Sequence, residues 1–121
     1  MKRIPSKINE VINEFIDEVN KILGSRVKKI ILYGSYARGD FNKSSDIDIM
    51  ILTDLTDDEI VKYRSEICGC AYNIEFDNNF DIRLSPLVKN IDKFNYWLEA
   101  LPFYMNVQKE GVVLRDRKSV V

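Results

Sequence analysis

Residues 30–52 read IILYGSYARGDFNKSSDIDIMIL. An apolar run from Ile30 to Tyr33 stops at Gly34-Ser35. A polar connection follows, and a second apolar run opens with two aspartates, Asp46 and Asp48. The pattern predicts strand, tight glycine turn, polar connection, strand. Side chains alternate between the faces of a strand, so Asp46 and Asp48 should project together while Ile47, Ile49 and Ile51 take the opposite face. Two carboxylates held side by side repel each other, and an oxygen-seeking divalent cation relieves that repulsion. Mg²⁺ is typically held by one or two carboxylates plus substrate phosphates. Gly34 lets the backbone approach a ligand closely. Ser35 adds a hydroxyl and an N–H where a helical turn begins, a place that favours anions. A Gly-Ser turn alone is most often only a turn, and D-x-D alone a solvated strand end; the combination at this spacing is the specific signal.

Outward from this stretch, the chain reads as one soluble domain. It has 121 residues, 45% hydrophobic and 31% charged, with a formal net charge of −1, ordinary values for a globular protein. Such a balance does not predict stable nucleic-acid binding, which calls for a basic face. Lys28-Lys29 and Arg115, Arg117 and Lys118 read as solvated strand ends and a tail. No apolar run approaches the ~20 residues that span a bilayer, and no signal-peptide core opens the chain, so the expected location is cytoplasmic, without membrane contact. The sequence contains no histidine. That excludes Ser-His-Asp and Cys-His catalysis and His-ligated zinc, and leaves carboxylates, Lys or Tyr as general bases. Cys68 and Cys70, the only cysteines, cannot close a four-ligand zinc site alone and are expected to be reduced thiols.

Before the central stretch, Ile8, Val11, Ile12, Phe15, Ile16, Val19, Ile22 and Leu23 form the stripe of an amphipathic helix. Ser6 is its expected N-cap and Gly24 its stop. Val27–Tyr33 is the first strand and Asp46–Leu52 the second; the second is apolar on both faces beyond its aspartates, which implies layers on both sides of the sheet. Thr56-Asp57-Asp58-Glu59 is a capping box, so a helix should run to about residue 76. Asp77-Asn78-Asn79 reads as a turn, and Phe80–Leu84 as a strand stopped by Ser85-Pro86. A short helix over 93–100, a second opened by Pro102 and closed by Gly111, and an extended 111–114 complete the chain, with 115–121 a flexible tail. The architecture expected is α/β, a small mixed sheet with helices packed on it.

The motif G-S-Y-A-R-G-D followed by S-D-I-D resembles the signature of the DNA polymerase beta-like nucleotidyltransferase superfamily. Within it, the pattern is most similar to the minimal nucleotidyltransferases (MNT), small antitoxins paired with a HEPN-domain toxin. The core of the resemblance covers residues 28–54, with weaker similarity through Asp81 and the PFYMNVQKEGVVL end. It implies the polymerase-beta-like fold and transfer of AMP from ATP to a hydroxyl, with Asp46 and Asp48 binding two Mg²⁺ and Gly34 and Ser35 holding the triphosphate. Arg38 contacts phosphates or makes a structural salt bridge. The resemblance also implies a third carboxylate from a later neighbouring strand; Asp81 matches best, with Asp77 the fallback. Arg83 departs from the family's apolar position, and would neutralise a phosphate or pair with Asp81. The implied acceptor is a tyrosine of the HEPN toxin in a type VII-like toxin–antitoxin pair, hence a hetero-oligomer, since larger relatives carry an acceptor domain for which this chain has no room. Two alternatives stand beside it: an antitoxin acting by binding alone, and an aminoglycoside-type small-molecule nucleotidyltransferase.

Overall fold

The computed structural model describes residues 3–117. In chain order the elements are α1 (Ser6–Leu23), a 3-10 turn (Gly24–Arg26), β1 (Val27–Tyr33), α2 (Ser35–Arg38), β2 (Ile47–Thr53), α3 (Asp57–Asp77), β3 (Leu84–Asn90), α4 (Ile91–Trp97), α5 (Pro102–Glu110) and β4 (Val112–Asp116). The strands form one mixed sheet in the order β3-β2-β1-β4. β1 is antiparallel to both β2 and β4, whereas β2 and β3 run parallel. A parallel pair needs a crossover, and α3 supplies it.

The apolar alternation of β1 and β2 divides the core in two. Ile30, Leu32, Ile47, Ile49 and Ile51 face α1 and α3, where they bury Phe15, Val19, Ile67 and Ile74. Ile31, Met50 and Leu52 face the other way, onto Phe94 of α4 and Val107 of α5. Each such side chain removed from water stabilises the fold by roughly 1.5–3 kcal/mol before the cost of ordering the chain. β2, flanked by strands on both sides and covered on both faces, is the centre of the molecule.

α3 starts as its capping box requires: Thr56 Oγ1 accepts from the Glu59 N–H, and the Glu59 carboxylate accepts from the Thr56 N–H. α1 begins one residue earlier than expected. Pro5 takes the N-cap position with no side-chain bond, so Ser6 is the first helical residue rather than the cap. The largest departure lies after α3. Asn79 and Phe80 both have positive φ, 57° and 58°, rare for a side chain as bulky as Phe. The Phe80 N–H donates to the Glu75 carbonyl at 2.8 Å. The expected strand at Phe80–Leu84 is thus a tight reversal, and the strand itself is displaced to Leu84–Asn90. Pro86 does not stop it, because β3 lies at the edge of the sheet, where a missing donor can face outward. Asn90 then caps α4 by accepting from the Lys93 N–H at 3.0 Å. Arg115 and Asp116, expected in the tail, belong to β4, and the Arg117 N–H donates to the Lys28 carbonyl; residues 118–121 of that tail lie outside the described residues. Among the described residues no helix is long and apolar enough to cross a membrane.

Candidate active site

β1 ends against a turn that only glycine can make here. Gly34 has φ +77°, and a Cβ on it would collide with the Asp48 carboxylate. Asp48 pairs with Tyr33 in the β1–β2 register, so the absent side chain is what lets the acid lie over the end of β1. Ser35 opens α2, a single turn fastened by Arg38 N–H to the Gly34 carbonyl at 3.0 Å and Gly39 N–H to the Ser35 carbonyl at 2.9 Å. Gly39 takes the left-handed region at φ +86°. The polar connection to β2 is tied by its own side chains: Ser45 Oγ accepts from the Asn42 N–H, and Asn42 Oδ1 accepts from the Ser44 N–H. Tyr36 stacks on Phe41 at 4.5 Å. These contacts fix how the chain enters β2 at Asp46.

Asp46 and Asp48 alternate with buried Ile47, on the sheet face that carries Met50 and Leu52 and packs on α5. Burial and the neighbouring Asp46 charge push the Asp48 carboxyl above the ordinary aspartate value; Arg38 opposes them more weakly. Burial, with the Asp48 charge, pushes the Tyr33 phenol up to about 12, so it stays a neutral donor. Asp46 is exposed, with Arg83 Nε 3.8 Å from its Oδ1. The negative charge of the pair is therefore poorly relieved by the protein itself, which is the electrostatic setting a divalent cation fits. Among the described residues no group of three or more His, Cys, Asp or Glu converges, so the chain offers two carboxylates, a set that Mg²⁺ completes with phosphate oxygens and water.

Asp48 opens onto a cleft of about 450 Å³ lined by Tyr33, Gly34, Ser35 and Arg38 on one side and by Phe103, Asn106, Val107 and Glu110 of α5 on the other. Four of the expected site residues, Gly34, Ser35, Arg38 and Asp48, thus meet, with Asp46 two residues before Asp48. Arg38 is engaged by Asp40 (3.2 Å) and by Glu110 across the cleft (3.4 Å). Asp81 is placed elsewhere: it precedes β3, exposed, in a hollow with Tyr36, Phe41, Asn42 and Lys43. The adjoining Ile82 packs on the α1 side of the sheet, away from the face of Asp48. Asp77 is the last residue of α3. Beside Asp46 stands Arg83, the residue just before β3; its carbonyl accepts from the Ile47 N–H at 2.7 Å, and its side chain pairs with Asp46 rather than with Asp81. The wall from α5 lies within the PFYMNVQKEGVVL stretch, where the sequence marks no site residue; Phe103, Asn106, Val107 and Glu110 recur at helical spacing and share the face of α5 that lines the cleft.

The model of the nucleotidyltransferase domain matches residues 12–111. The chain belongs to the nucleotidyltransferase domain family. A relative from Methanocaldococcus jannaschii, named "Putative protein adenylyltransferase MJ0604", is 32% identical over 105 residues, covering 87% of this chain and 95% of its own. A second from the same organism, MJ0141 of the same name, is 34% identical over 82 residues, 68% of this chain and 79% of its own. In fold, this nucleotidyltransferase resembles a chain of the toxin–antitoxin MntA–HpeT crystal structure, with TM-score 0.53 at 20% identity over 91% of this chain and 73% of that one. A toxin–antitoxin structure with AMP-PNP gives the same TM-score, 0.53, at 21% identity over 86% and 73%. The α/β architecture with a mixed four-stranded sheet is thus that of the family, and the enzyme class is nucleotidyl transfer.

Proposed function

We propose that this nucleotidyltransferase moves AMP from ATP to a tyrosine hydroxyl of a partner protein, and that the partner is the HEPN-type toxin it silences. The observation that carries the reading is the cleft in which Gly34, Ser35 and Asp48 meet, with Asp46 beside them. The relatives named as protein adenylyltransferases support a protein acceptor, and the fold shared with toxin–antitoxin chains supports the partner's class.

In this reading Asp46 and Asp48 hold Mg²⁺, the resemblance implying two ions, and Asp81, which lies in a separate hollow here, is the third carboxylate that the resemblance implies. When bound, the metal neutralises phosphate charge and makes an acceptor hydroxyl more acidic. The chain's own part is positioning and charge placement. Gly34 keeps the space above the end of β1 clear, and Ser35 presents its hydroxyl to the phosphates. Arg38 stands at the same cleft, already oriented by Asp40 and Glu110. The acceptor oxygen forms a bond to the α-phosphorus, the bond to the pyrophosphate oxygen breaks, and the hydroxyl proton passes to a carboxylate or to water.

The test is intact-mass spectrometry of a HEPN-type toxin, incubated with the enzyme, Mg²⁺ and each nucleoside triphosphate in turn. The expected result is a gain of one or more AMP units, strongest with ATP and absent with Asp46→Asn or Asp48→Asn. Full transfer by both variants would remove this mechanism. A tight, silencing complex without mass gain would make the protein an antitoxin by binding alone, and drug-dependent pyrophosphate release would identify an aminoglycoside-type enzyme.

A further inference from the structure

On the far side of α5 from the nucleotide cleft lies a second depression, about 400 Å³, between the start of α3 and α4–α5. Val61, Trp97 and Leu101 line it with 64, 46 and 40% of their surfaces in water. Large apolar side chains left exposed together mark an interaction surface more often than chance. Its rim is basic. Arg64, Lys89 and Lys93 face it, and the one acid among its lining residues, Asp57, is engaged by Lys93. Arg64 and Lys89 have no ion pair among the described residues. The depression continues along the edge strand β3 into a smaller hollow that shares Arg64, Val88 and Lys89.

The trough is also coupled in space to the chemistry. Phe103 lines the nucleotide cleft and Tyr104 lines the trough, and their rings touch at 5.8 Å. Neighbouring residues of α5 thus line both the cleft and the trough.

We infer that this trough docks an acidic, amphipathic segment of the acceptor protein, its apolar side on Val61, Trp97 and Leu101 and its carboxylates on Arg64 and Lys89. The inference rests on the reading of a protein acceptor. Charge complementarity selects the occupant: a nucleic acid would need a longer phosphate-tracking row of cations, whereas two cations around an apolar floor match a short acidic peptide with apolar anchors. Opposed charges of this kind mainly set partner choice and encounter rate.

Trp97 is the chain's sole tryptophan, so with an acceptor whose own tryptophans are replaced by phenylalanine the tryptophan fluorescence reports on the trough. The experiment titrates the wild-type enzyme and Arg64→Glu/Lys89→Glu with two probes: the acceptor protein of the transfer assay, and a single-stranded RNA oligonucleotide. The KM of transfer for the acceptor and for ATP is measured in parallel. Expected is a saturable Trp97 change with the acceptor, weakened at least ten-fold by the double reversal, with acceptor KM raised to match and the KM for ATP unchanged. A circular-dichroism melt that overlays the wild type confirms that the variant is folded. An unchanged acceptor affinity in the variant overturns the proposal. So does tighter binding of RNA, or a Trp97 change that follows the enzyme's own concentration, which would assign the trough to a second copy of this chain. If Trp97 reports acceptor binding but no nucleotide is transferred, the docking surface stands and the proposed chemistry fails; if transfer proceeds with the variant's acceptor KM unaltered, the chemistry stands and the docking surface fails.

Discussion

The two ends of β2 carry acidic residues in opposite electrostatic states. Beyond its C-terminal end, Asp54 and Glu59 converge on Arg26: the guanidinium meets Glu59 through two bonds of 3.1 and 3.0 Å and also donates to Asp54. These bonds hold the Glu59 carboxyl down at about 2 and lower that of Asp54. At the N-terminal end, Asp48 is raised by burial and by Asp46, and the nearest cation to Asp46 is Arg83 at 3.8 Å. Acidic residues near the two ends of one strand thus form, at one end, a clasp between the 3-10 turn and α3, and at the other a pair whose charge the protein offsets only in part. A protein that needed only stability would treat both ends alike. In the proposed reading, the asymmetry marks where an external cation and phosphates would sit.

The sharpest way to break that comparison is Asp48→Asn. Transfer should fall by at least ~10³-fold, since the carboxylate that would hold the divalent cation, and through it the phosphates, is gone, as read by intact mass. In the same variant the metal-free protein should melt ~1–3 °C higher near pH 7. The sign follows from the raised native pKa: the folded state holds its proton more tightly than the unfolded chain, so ionisation costs stability as pH rises through the Asp48 pKa. The gain should disappear below the ordinary aspartate pKa, and a variant that melts lower at pH 7 would contradict this account of Asp48.

Next comes Gly34→Ala. The new Cβ meets the Asp48 carboxylate, and φ +77° is unfavourable for any L side chain. Transfer is expected to drop about 10–100-fold, with ~1–3 kcal/mol lost in denaturant unfolding through strain. At the other end, Arg26→Ala should lower Tm by a few degrees at pH 7. Glu59 is held below its unfolded value, so the clasp's contribution is complete above the ordinary glutamate pKa and is lost as pH falls through about 2. The difference between variant and wild type should therefore narrow across that acid range. The smallest effect belongs to Thr56→Ala, about 1 kcal/mol for loss of an N-cap, with transfer unchanged.

How much of this was readable in the sequence depended on whether the signal was local. β1 follows the apolar run from Val27 to Tyr33 residue for residue, and α3 begins where Thr56 and Glu59 cap it. Both are dictated by neighbours within one turn or one strand. The region after α3 was misread because its conformation is imposed from afar. Phe80 and Ile82 alternate like a strand, yet the Glu75 carbonyl holds the Phe80 N–H and the Glu75 carboxylate accepts from the Leu84 N–H at 2.9 Å. Pro86 reads as a stop only while the position of β3 at the sheet's edge is unknown. The same error moved Asp81: its expected place beside Asp46 presupposed a strand that starts four residues later than Phe80. Gly34, Ser35, Asp46 and Asp48 were readable because they lie within one compact stretch, while the cleft's other wall comes from α5, some seventy residues on, and needed the fold.

β2 has a strand on each side and helices over both faces, whereas α5 rests on the sheet chiefly through Val107 and Tyr104 and leads into an edge strand. Local opening follows such differences in contact density. In hydrogen exchange, the amides of β2 should be the last to acquire deuterium and those of α5 and β4 among the first. The two acids would then sit on the slowest-exchanging strand of the molecule, and Phe103, Asn106 and Glu110 on one of its faster-exchanging elements: a rigid anvil beneath a looser jaw.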